Sequence, residues 1–426
     1  MAAVISRASL AVRVPGDKSI SHRALICAAL ASGRSRIRNI LPSADVRSTG
    51  GVLSALGANV PQLGDDVRVD GRGLGGLAAP DEPLDCGNSG TTARLMSGVL
   101  SGCSFPSRLI GDASLSRRPM GRVARPLTTM GAHFAFDTGE HLPMVVTGGR
   151  LREIEFDSPT ASAQVKSAIL LAGLVGCVRV TVREPVRSRD HTERMLAALG
   201  IDVRSLGLEA SLEPASELAP FQLDVPADPS SAAFFAALAA AGGVRGGAPL
   251  ELTDVALNPT RLGFFRVLRD MGADVAWEVH REECGEPVGT ITVAPRGLQG
   301  VEIGGDQVPA MIDELPMLAC LGALGDGVIE IRGASELRVK ESDRIAAVVQ
   351  NLRDVGADAD ELPDGLRVRG GTRSLGGAVQ THGDHRLAMA FGVLGALSGN
   401  AITVDDPDCV SVSYPGFWSD LERVTS

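Results

Sequence analysis

A cluster of charged residues stands at the start of a predicted helix in the stretch RVKESDRIAAVVQNLRDVGAD, which begins at Arg338. The later apolar residues of this stretch recur at three- and four-residue spacing, which predicts one buried helix face that ends before Gly356. One capping side chain, such as Ser342, would be enough to begin the helix. The charges of both signs in front of it therefore indicate either a solvated helix start or half of an active site: Arg338, Lys340, Glu341, Asp343 and Arg344.

Positively charged side chains recur at other predicted helix starts and on glycine-rich loops. They are Lys18, Arg23, Arg94, Arg118, Lys166, Arg189, Lys340, Arg344 and Arg386. A helix N-terminus adds free amides and the positive end of the helix dipole to such a cluster. Polar side chains that suit carboxylates and phosphates lie nearby, at Ser19, Asn88, Ser162 and Gln164. We therefore expect small substrates that carry several negative charges.

Two carboxylates, Asp313 and Glu341, are the best candidates for moving protons next to these cations. Their presence favours an enzyme that binds anions and transfers protons. A non-catalytic protein that stores or senses small anions is the alternative from another functional class.

Two other kinds of site are conceivable from the sequence, a nucleotide-binding phosphate loop and a metal site. The segment GDKSISHR is similar to the end of a phosphate-binding loop, but the glycine that GxxxxGK[ST] requires upstream is missing, which argues against a nucleotide kinase. His382, Asp384 and His385, with the DHTE stretch at Asp190–Glu193, could form a metal site. Histidines on a glycine-rich turn are more often caps or supporting groups, so we expect no metal. No cofactor is expected either, and activation by a monovalent cation is left open.

The composition is that of a globular protein with two or three domains, since 44% of the 426 residues are hydrophobic and 22% are charged. A net charge of −10 argues against binding to nucleic acid or to an anionic membrane surface. The seven scattered cysteines, with no CxxC pair, fit a reducing compartment. No apolar run is long enough to span a bilayer, so a cytoplasmic protein is expected.

Two kinds of predicted helix alternate along the chain. One kind carries charged residues on one face and ends at Gly57, Gly131, Gly200, Gly272 and Gly356. The other kind is apolar nearly all round and ends at Gly33, Gly102, Gly176, Gly243, Gly325 and Gly399. The second kind recurs at intervals of roughly 70 residues, which predicts six units of two helices and several short strands. The charged helices should lie outside and the apolar helices inside, with three units around each of two cores.

Six motifs, in their order along the chain, resemble the 5-enolpyruvylshikimate-3-phosphate synthase family over essentially the whole sequence. They are PGDKSISHRAL, GNSGTTARL, GDASLSRRPM, SASAQVKSA, RVKESDRI and GDHRLAMA. The resemblance implies an α/β (α+β) fold, the two-domain inside-out α/β barrel of the enolpyruvyl transferases, with six βαβαββ repeats, three per domain. It implies a first domain of residues 1–16 and 229–426, a second domain of residues 17–228, and an active site in a cleft that closes on the first substrate.

The reaction implied by the resemblance transfers the enolpyruvyl group of phosphoenolpyruvate to the 5-hydroxyl of shikimate 3-phosphate, through a tetrahedral intermediate, and releases phosphate. Each substrate carries a carboxylate and a phosphate, which would account for the many cations. The expected partners are these small molecules alone, without nucleic acid or membrane, and a monomer is expected.

The resemblance also implies roles for individual residues. Shikimate 3-phosphate would be held by Lys18, Ser19, Arg23, Ser162, Ala163, Gln164, Asp313 and Lys340, with Ser188 or Arg189 at its phosphate. Phosphoenolpyruvate would be held by Lys18, Asn88, Gly90, Arg118, Gln164, Arg344 and Arg386, and its loop would be shaped by Thr91 and Arg94. Asp313 would take the proton of the 5-hydroxyl, and Glu341 would give and later remove a proton at C3, with Lys18 as a rival for part of that role.

The closest rival within this fold uses UDP-N-acetylglucosamine as the acceptor and places a reactive cysteine where this chain has GDASLSRRPM. Cys103 lies near that stretch and is predicted to belong to the core. The chain departs from the family pattern at Val412, where many members have a lysine, and at Leu95, where a proline is common. Gly90 leaves open the space that the inhibitor glyphosate would occupy, so at least partial sensitivity is expected.

Overall fold

The computed structural model describes residues 9–371 and 374–426, and these fall into two units. The first unit comprises the described residues of 9–15, 227–281 and 287–426, and the second comprises 16–226 and 282–286. The segment Glu282–Glu286, which the sequence prediction placed in the first domain, belongs to the second unit. The reason is local, because Arg194 donates to the carbonyl of Gly285 and His191 bonds to Glu286.

Helices and strands alternate along the whole described chain. The helices are α1 (Lys18–Leu30), α2 (Ala44–Ala55), α3 (Gly90–Ser101), α4 (Gly121–Met130), α5 (Ala163–Gly176), α6 (His191–Ala198), α7 (Pro229–Ala240), α8 (Gly263–Asp270), α9 (Leu315–Gly322), α10 (Arg344–Asp354), α11 (His385–Ala396) and α12 (Phe417–Thr425). The strands are β1 (Leu10–Val12), β2 (Arg34–Arg38), β3 (Asp66–Asp70), β4 (Leu84–Asp85), β5 (Pro106–Ile110), β6 (His133–Phe136), β7 (Met144–Thr147), β8 (Ile154–Asp157), β9 (Val180–Arg183), β10 (Val203–Leu206), β11 (Glu209–Leu212), β12 (Gln222–Asp224), β13 (Leu250–Ala256), β14 (Asp274–Glu283), β15 (Glu286–Ala294), β16 (Gln299–Ile303), β17 (Asp326–Ile331), β18 (Asp358–Leu362), β19 (Gly365–Arg369), β20 (Gly376–Val379) and β21 (Ala401–Val404).

The strands of the second unit form three small mixed sheets, with the orders β12–β2–β3, β4–β5–β7–β6 and β8–β9–β11–β10. Those of the first unit form sheets with the orders β1–β13–β15–β14, β16–β17–β19–β18 and β20–β21. The segments β4–β7, β8–β11 and β16–β19 each include two helices in the order βαβαββ. The sheet of β13, β14 and β15 takes its outer strand from the N-terminal region, because β1 pairs with β13 in parallel.

The apolar helices form the interiors of the two units. Every residue of α7 is buried, and α1, α3, α5, α9 and α11 are buried over most of their length. In the second unit α3 and α5 pack so closely that a methyl group at Gly98 would lie 2.2 Å from the carbonyl oxygen of Ala168. A residue with a side chain would force these helices apart, so the glycine allows their starts to lie side by side.

The outer helices end as their sequences predict. Five glycines just beyond their last turns have a positive φ, the left-handed conformation that terminates helices: Gly57, Gly131, Gly200, Gly272 and Gly356. None of the helices in the described part of the chain combines the length and the apolarity needed to cross a bilayer.

Candidate functional site

The first helix of the second unit, α1, carries predicted contacts to both substrates. Asp17 caps the helix, since its carboxylate accepts a hydrogen bond from the amide of Ile20 at 2.8 Å. Lys18 and Ser19 therefore lie in the first turn, where backbone amides lack helical acceptors. The ammonium group of Lys18 lies 3.0 Å from Asp45 Oδ2. Asp45 thus fixes the position of this cation at the helix start.

Arg23 lies one turn further along α1 and is only 5% exposed. Its Nε donates to Thr192 Oγ1 at 2.7 Å, its Nη2 to Ser167 Oγ at 2.8 Å and its Nη1 to the carbonyl of Ser19 at 2.9 Å. Burial lowers the pKa of this guanidinium, and the charge of Glu193 opposes that change. Neutral oxygens satisfy much of its hydrogen bonding, so the positive charge of Arg23 suits an anionic ligand.

The loop before α3 lies between two guanidinium groups. Asn88 Oδ1 accepts a hydrogen bond from Arg118 Nη2, and Asn88 Nδ2 donates to Asp112 at 2.6 Å. A methyl group at Gly90 would lie 2.9 Å from Arg94 Nη1 and 3.4 Å from Arg118 Nη1. The glycine therefore allows two guanidinium groups to lie close to the start of α3, an arrangement that suits a compact anion.

The start of α5 is joined to this loop through Gln164. Arg94 Nη1 donates to Gln164 Oε1 at 2.7 Å, and Gln164 Nε2 donates to Thr91 Oγ1 at 3.0 Å. Ser162 caps the helix, which begins at Ala163. The predicted contacts to the two substrates are thus linked within the second unit.

Ser188 and Arg189 lie on the segment that follows β9. Ser188 is 4% exposed, and its hydroxyl donates to Glu184 Oε2 at 2.8 Å. The other oxygen of Glu184 accepts a hydrogen bond from the amide of Ser162 at 2.9 Å. Ser188 is therefore joined through one carboxylate to the start of α5.

In the first unit, Arg344 is the centre of a buried charge cluster. Its guanidinium binds Asp384 with two hydrogen bonds of 2.8 and 3.2 Å, and it also binds Glu341 at 2.7 Å and Asp313 at 3.2 Å. Lys340 Nζ lies 3.7 Å from Asp313. Burial opposes the charge of Arg344, but the three carboxylates, led by Asp384, outweigh burial and raise its pKa. Both predicted proton-transfer carboxylates therefore contact the same guanidinium.

The predicted cap of α10 is wrong. Asp343, and not Ser342, accepts a hydrogen bond from the amide of Ala346, at 3.1 Å. Ser342 donates instead to Asp384 at 3.0 Å, which turns its hydroxyl away from the helix amides. Arg338 donates to Asp343 and to two backbone carbonyls, so its role is to hold the segment in place.

Arg386 stands at the start of α11, whose cap Asp384 accepts a hydrogen bond from its amide at 2.9 Å. Arg386 is 4% exposed, and its guanidinium carbon lies 5.8 Å from the ring centroid of Phe234. Its Nη1 is buried without a hydrogen-bond partner among the residues that the structure describes. A buried cation in this setting favours the binding of an anion.

The residues of the DHTE stretch, considered as part of a metal site, are engaged in other contacts. Asp190, His191 and Glu193 are bound to Arg194, Glu286 and Lys166, respectively. Over residues 9–371 and 374–426, no group of three potential ligands lies close enough to hold an ion. Cys103 is confirmed as a core residue, 7% exposed, and burial raises its pKa to about 11. A thiol with so high a pKa is a poor nucleophile at neutral pH.

Each unit thus gathers its own set of predicted residues. The set of the second unit is Lys18, Ser19, Arg23, Asn88, Gly90, Thr91, Arg94, Arg118, Ser162, Ala163, Gln164, Ser188 and Arg189. The set of the first unit is Asp313, Lys340, Glu341, Arg344 and Arg386.

Three carboxylates that hold these residues were not predicted in that role: Asp45, Glu184 and Asp384. Asp384 directly precedes an apolar helix, and the sequence could have identified it as a cap from that position alone. The sequence offers no comparable signal for the contact of Asp45 with Lys18 or of Glu184 with Ser162, because the partners are many residues apart.

Comparison with known proteins places this chain in a family. The sequence model of EPSP synthase (3-phosphoshikimate 1-carboxyvinyltransferase) matches residues 3–421. A 3-phosphoshikimate 1-carboxyvinyltransferase from Sulfurihydrogenibium sp. (strain YO3AOP1) is 47% identical, with 99% of this chain and 98% of the relative covered. The enzyme of that name from Gloeobacter violaceus is 48% identical, with 98% of this chain and 97% of the relative covered.

A solved structure of EPSP synthase from Acinetobacter baumannii has the same fold. It superposes with a TM-score of 0.84 at 41% identity, and the match covers 97% of this chain and 95% of that chain. The predicted fold class, a two-domain enolpyruvyl transferase fold, is confirmed by this likeness. The chain therefore belongs to the EPSP synthase (3-phosphoshikimate 1-carboxyvinyltransferase) family.

Proposed function

We propose that the protein transfers the enolpyruvyl group of phosphoenolpyruvate to the 5-hydroxyl of shikimate 3-phosphate, yielding 5-enolpyruvylshikimate 3-phosphate and phosphate. Membership of the EPSP synthase family over almost the whole chain carries this proposal. The buried cations support it, because both substrates carry a carboxylate and a phosphate that need positive charge.

The two sets of residues have different parts in the proposed reaction. Helix starts of the second unit bind the anionic groups of the substrates, through Lys18, Arg23, Arg118, Ser162 and Gln164. The first unit supplies the proton-transfer carboxylates, Asp313 and Glu341. Arg344 and Arg386 neutralise the phosphoenolpyruvate charges and the departing phosphate.

Proton transfer begins with Asp313, which takes the proton of the 5-hydroxyl as the oxygen attacks C2 of phosphoenolpyruvate. Glu341 donates a proton to C3, which forms the tetrahedral intermediate. Loss of a C3 proton and departure of phosphate then restore the double bond. Arg344 supports both steps, because it holds both carboxylates within hydrogen-bonding distance of one guanidinium.

We also propose that the enzyme works without a cofactor, as a monomer in the cytoplasm. The chemistry needs only proton transfer and cleavage of a C–O bond, for which the side chains above are sufficient. Size-exclusion chromatography tests the oligomeric state, and an assay with and without added K⁺ tests activation by a monovalent cation.

The proposed reaction is tested by phosphate release from phosphoenolpyruvate, with shikimate 3-phosphate or UDP-N-acetylglucosamine as the acceptor. We expect release with shikimate 3-phosphate only, and its loss in Asp313→Ala. Asp358→Ala is the matched control, because Asp358 forms an exposed ion pair with Arg369 in the same unit.

The possible results distinguish a wrong reaction from a wrong choice of the base. Release with the UDP-sugar, or with neither acceptor, contradicts the proposed reaction. Full activity of Asp313→Ala leaves the reaction in place but shows that Asp313 is not the base.

A further inference from the structure

Glu184 connects two segments that the proposed function assigns to shikimate 3-phosphate. Its Oε1 accepts a hydrogen bond from the backbone amide of Ser162 at 2.9 Å, at the start of α5. Its Oε2 accepts one from the hydroxyl of Ser188 at 2.8 Å, and the amide of Ser188 lies 3.4 Å from the same oxygen. Each carboxylate oxygen therefore holds one of the two segments.

Glu184 is buried together with a lysine and a second carboxylate. Lys166 Nζ lies 2.7 Å from Glu184 and 2.9 Å from Glu193, and all three side chains are 5% exposed or less. Burial alone would lower the pKa of Lys166, but Glu193 and Glu184 outweigh burial and raise it. The lysine therefore carries its charge and compensates the carboxylate of Glu184.

The direction of the hydrogen bonds decides what the two serines can offer to a ligand. A hydroxyl has one proton, and Ser188 donates its proton to Glu184. Ser162 uses its amide for Glu184, while its hydroxyl oxygen accepts from the amide of Val165 at 3.4 Å. The hydroxyl proton of Ser162 is therefore not used by Glu184 or by the cap, and can be donated to a phosphate oxygen.

A carboxylate is an unusual neighbour for a phosphate site, because two negative charges repel each other. Lys166 offsets that repulsion, and Glu184 supplies two acceptor oxygens on one rigid, buried group. A glutamine at this position would supply only one acceptor, and could not hold both segments in the same way.

From this geometry we propose that Glu184 is the positioning residue that sets the preference for the phosphorylated acceptor. It orients the hydroxyl of Ser162 and, by holding Ser188, the segment that carries Arg189, so that Ser162 and Arg189 can donate to the 3-phosphate. This inference rests on the proposed function, because the ligand assigned to these segments comes from it.

The test compares equilibrium binding of shikimate 3-phosphate and of shikimate, which lacks the phosphate, by calorimetry on the full-length protein. In Glu184→Ala the Kd for shikimate 3-phosphate should rise about tenfold or more, as expected when buried donors lose their acceptor. The Kd for shikimate should change by less than about twofold, because shikimate lacks the phosphate group that the donors held by Glu184 would contact. The ratio of the two constants is the readout that a general loss of stability does not move.

Two further variants sharpen the result. Glu184→Gln should recover part of the preference, because its amide oxygen can still accept from Ser162. If Glu184→Ala fails to fold, the ratio of the two Kd values in Glu184→Gln tests the proposal instead. Glu213→Ala is the control, because Glu213 forms an exposed ion pair with Arg179 in the same unit and touches neither serine, so this variant should leave the ratio unchanged.

The proposal is overturned if both ligands weaken alike in the Glu184 variants, or if Glu213→Ala causes the same loss of preference. Binding does not require turnover, so the proposed function can fail separately. A wild-type protein that prefers shikimate 3-phosphate but releases no phosphate would contradict the proposed reaction and leave this inference standing.

Discussion

At the residue scale, one guanidinium group fixes the positions of three carboxylates in the first unit. Arg344 is 1% exposed and binds Asp313, Glu341 and Asp384 through three different nitrogen atoms. The sequence predicted Arg344 as a contact to phosphoenolpyruvate and the first two acids as proton-transfer groups. It did not indicate that one arginine holds all of them, because Asp313 and Asp384 lie far from Arg344 in sequence.

The variant Arg344→Lys tests this arrangement. Lysine keeps the charge but lacks the planar fork, so it cannot bind three carboxylates in fixed directions. We expect kcat to fall about 100-fold or more, as when a preorganised electrostatic group is lost. Arg338→Lys is the control, because Arg338 contacts Asp343 and backbone carbonyls. An Arg344→Lys enzyme with normal kcat would contradict this role.

A second prediction at this scale concerns Gly90. In Gly90→Ala the added methyl group would lie 2.9 Å from Arg94 Nη1, so that guanidinium must move. We expect wild type to be inhibited by glyphosate, and the inhibition constant of the variant to rise more than its KM for phosphoenolpyruvate. Steady-state inhibition kinetics measure both constants. Equal changes in both would show that the methyl group does not discriminate between the two ligands.

At the element scale, a buried chain of hydrogen bonds connects three helices of the second unit. His22 Nδ1 on α1 lies 2.7 Å from Thr49 Oγ1 on α2, which lies 2.7 Å from Thr92 Oγ1 on α3. Thr92 in turn donates to Ser89 Oγ, the cap of α3, at 2.8 Å. The helix that carries Lys18 is thereby connected to the helix that carries Gly90.

The buried His22 in this series of hydrogen bonds predicts that the unfolding free energy depends on pH. Burial, with the charges of Lys18 and Arg23, lowers the pKa of His22 well below 6.5. The unfolded chain therefore binds a proton at a higher pH than the folded protein does. The contribution of His22 to stability is complete above pH 6.5 and is lost as the pH falls towards the folded-state pKa.

Urea unfolding at a series of pH values measures the effect. Between pH 6.5 and the lower folded-state pKa, His22 should remove up to about 1.4 kcal/mol of unfolding free energy per pH unit. In His22→Gln this part of the slope should disappear, because glutamine does not titrate. His133→Gln, at an exposed position on β6, should keep the wild-type slope. An unchanged slope in His22→Gln would contradict the assignment.

The elements that the sequence predicted well are those with local signals. The glycine ends of the outer helices and the all-round apolarity of α7 or α5 are properties of a few consecutive residues, and the structure has them as predicted. The cap of α10 was wrong because Ser342 and Asp343 are both good caps, and the choice depends on distant Asp384. The roles of Asp45 and Glu184 in holding site residues also depend on tertiary contacts, so the sequence did not indicate them.

At the scale of the whole molecule, the described chain forms two units, and the predicted site residues are divided between them. The predicted crossings near residues 16 and 228 lie within two residues of the observed divisions, but residues 282–286 belong to the other unit. The sequence could not indicate that residues 282–286 belong to the second unit, because β14 and β15 look like one continuous hairpin. Only the contacts of the hairpin turn show which unit it belongs to.

We expect the protein to be stabilised against unfolding by its own acceptor substrate and not by the acceptor of the rival reaction. A ligand that binds only the folded state raises the unfolding free energy by about 2.7 kcal/mol at 100 times its Kd. We therefore expect shikimate 3-phosphate to raise the thermal unfolding midpoint, and UDP-N-acetylglucosamine at the same concentration to leave it unchanged. Differential scanning fluorimetry measures both. A rise with the UDP-sugar alone would favour the rival acceptor.

The central claim is addition and elimination on phosphoenolpyruvate with shikimate 3-phosphate as the acceptor, and the most direct measurement is proton NMR of the product formed in D2O. Protonation of C3 by an exchangeable group, followed by loss of a C3 proton, should place solvent deuterium in the vinyl group of 5-enolpyruvylshikimate 3-phosphate. That product, with vinyl deuterium, is the predicted result. A product without deuterium would contradict the proton transfers, and the absence of any enolpyruvyl product would contradict the reaction itself.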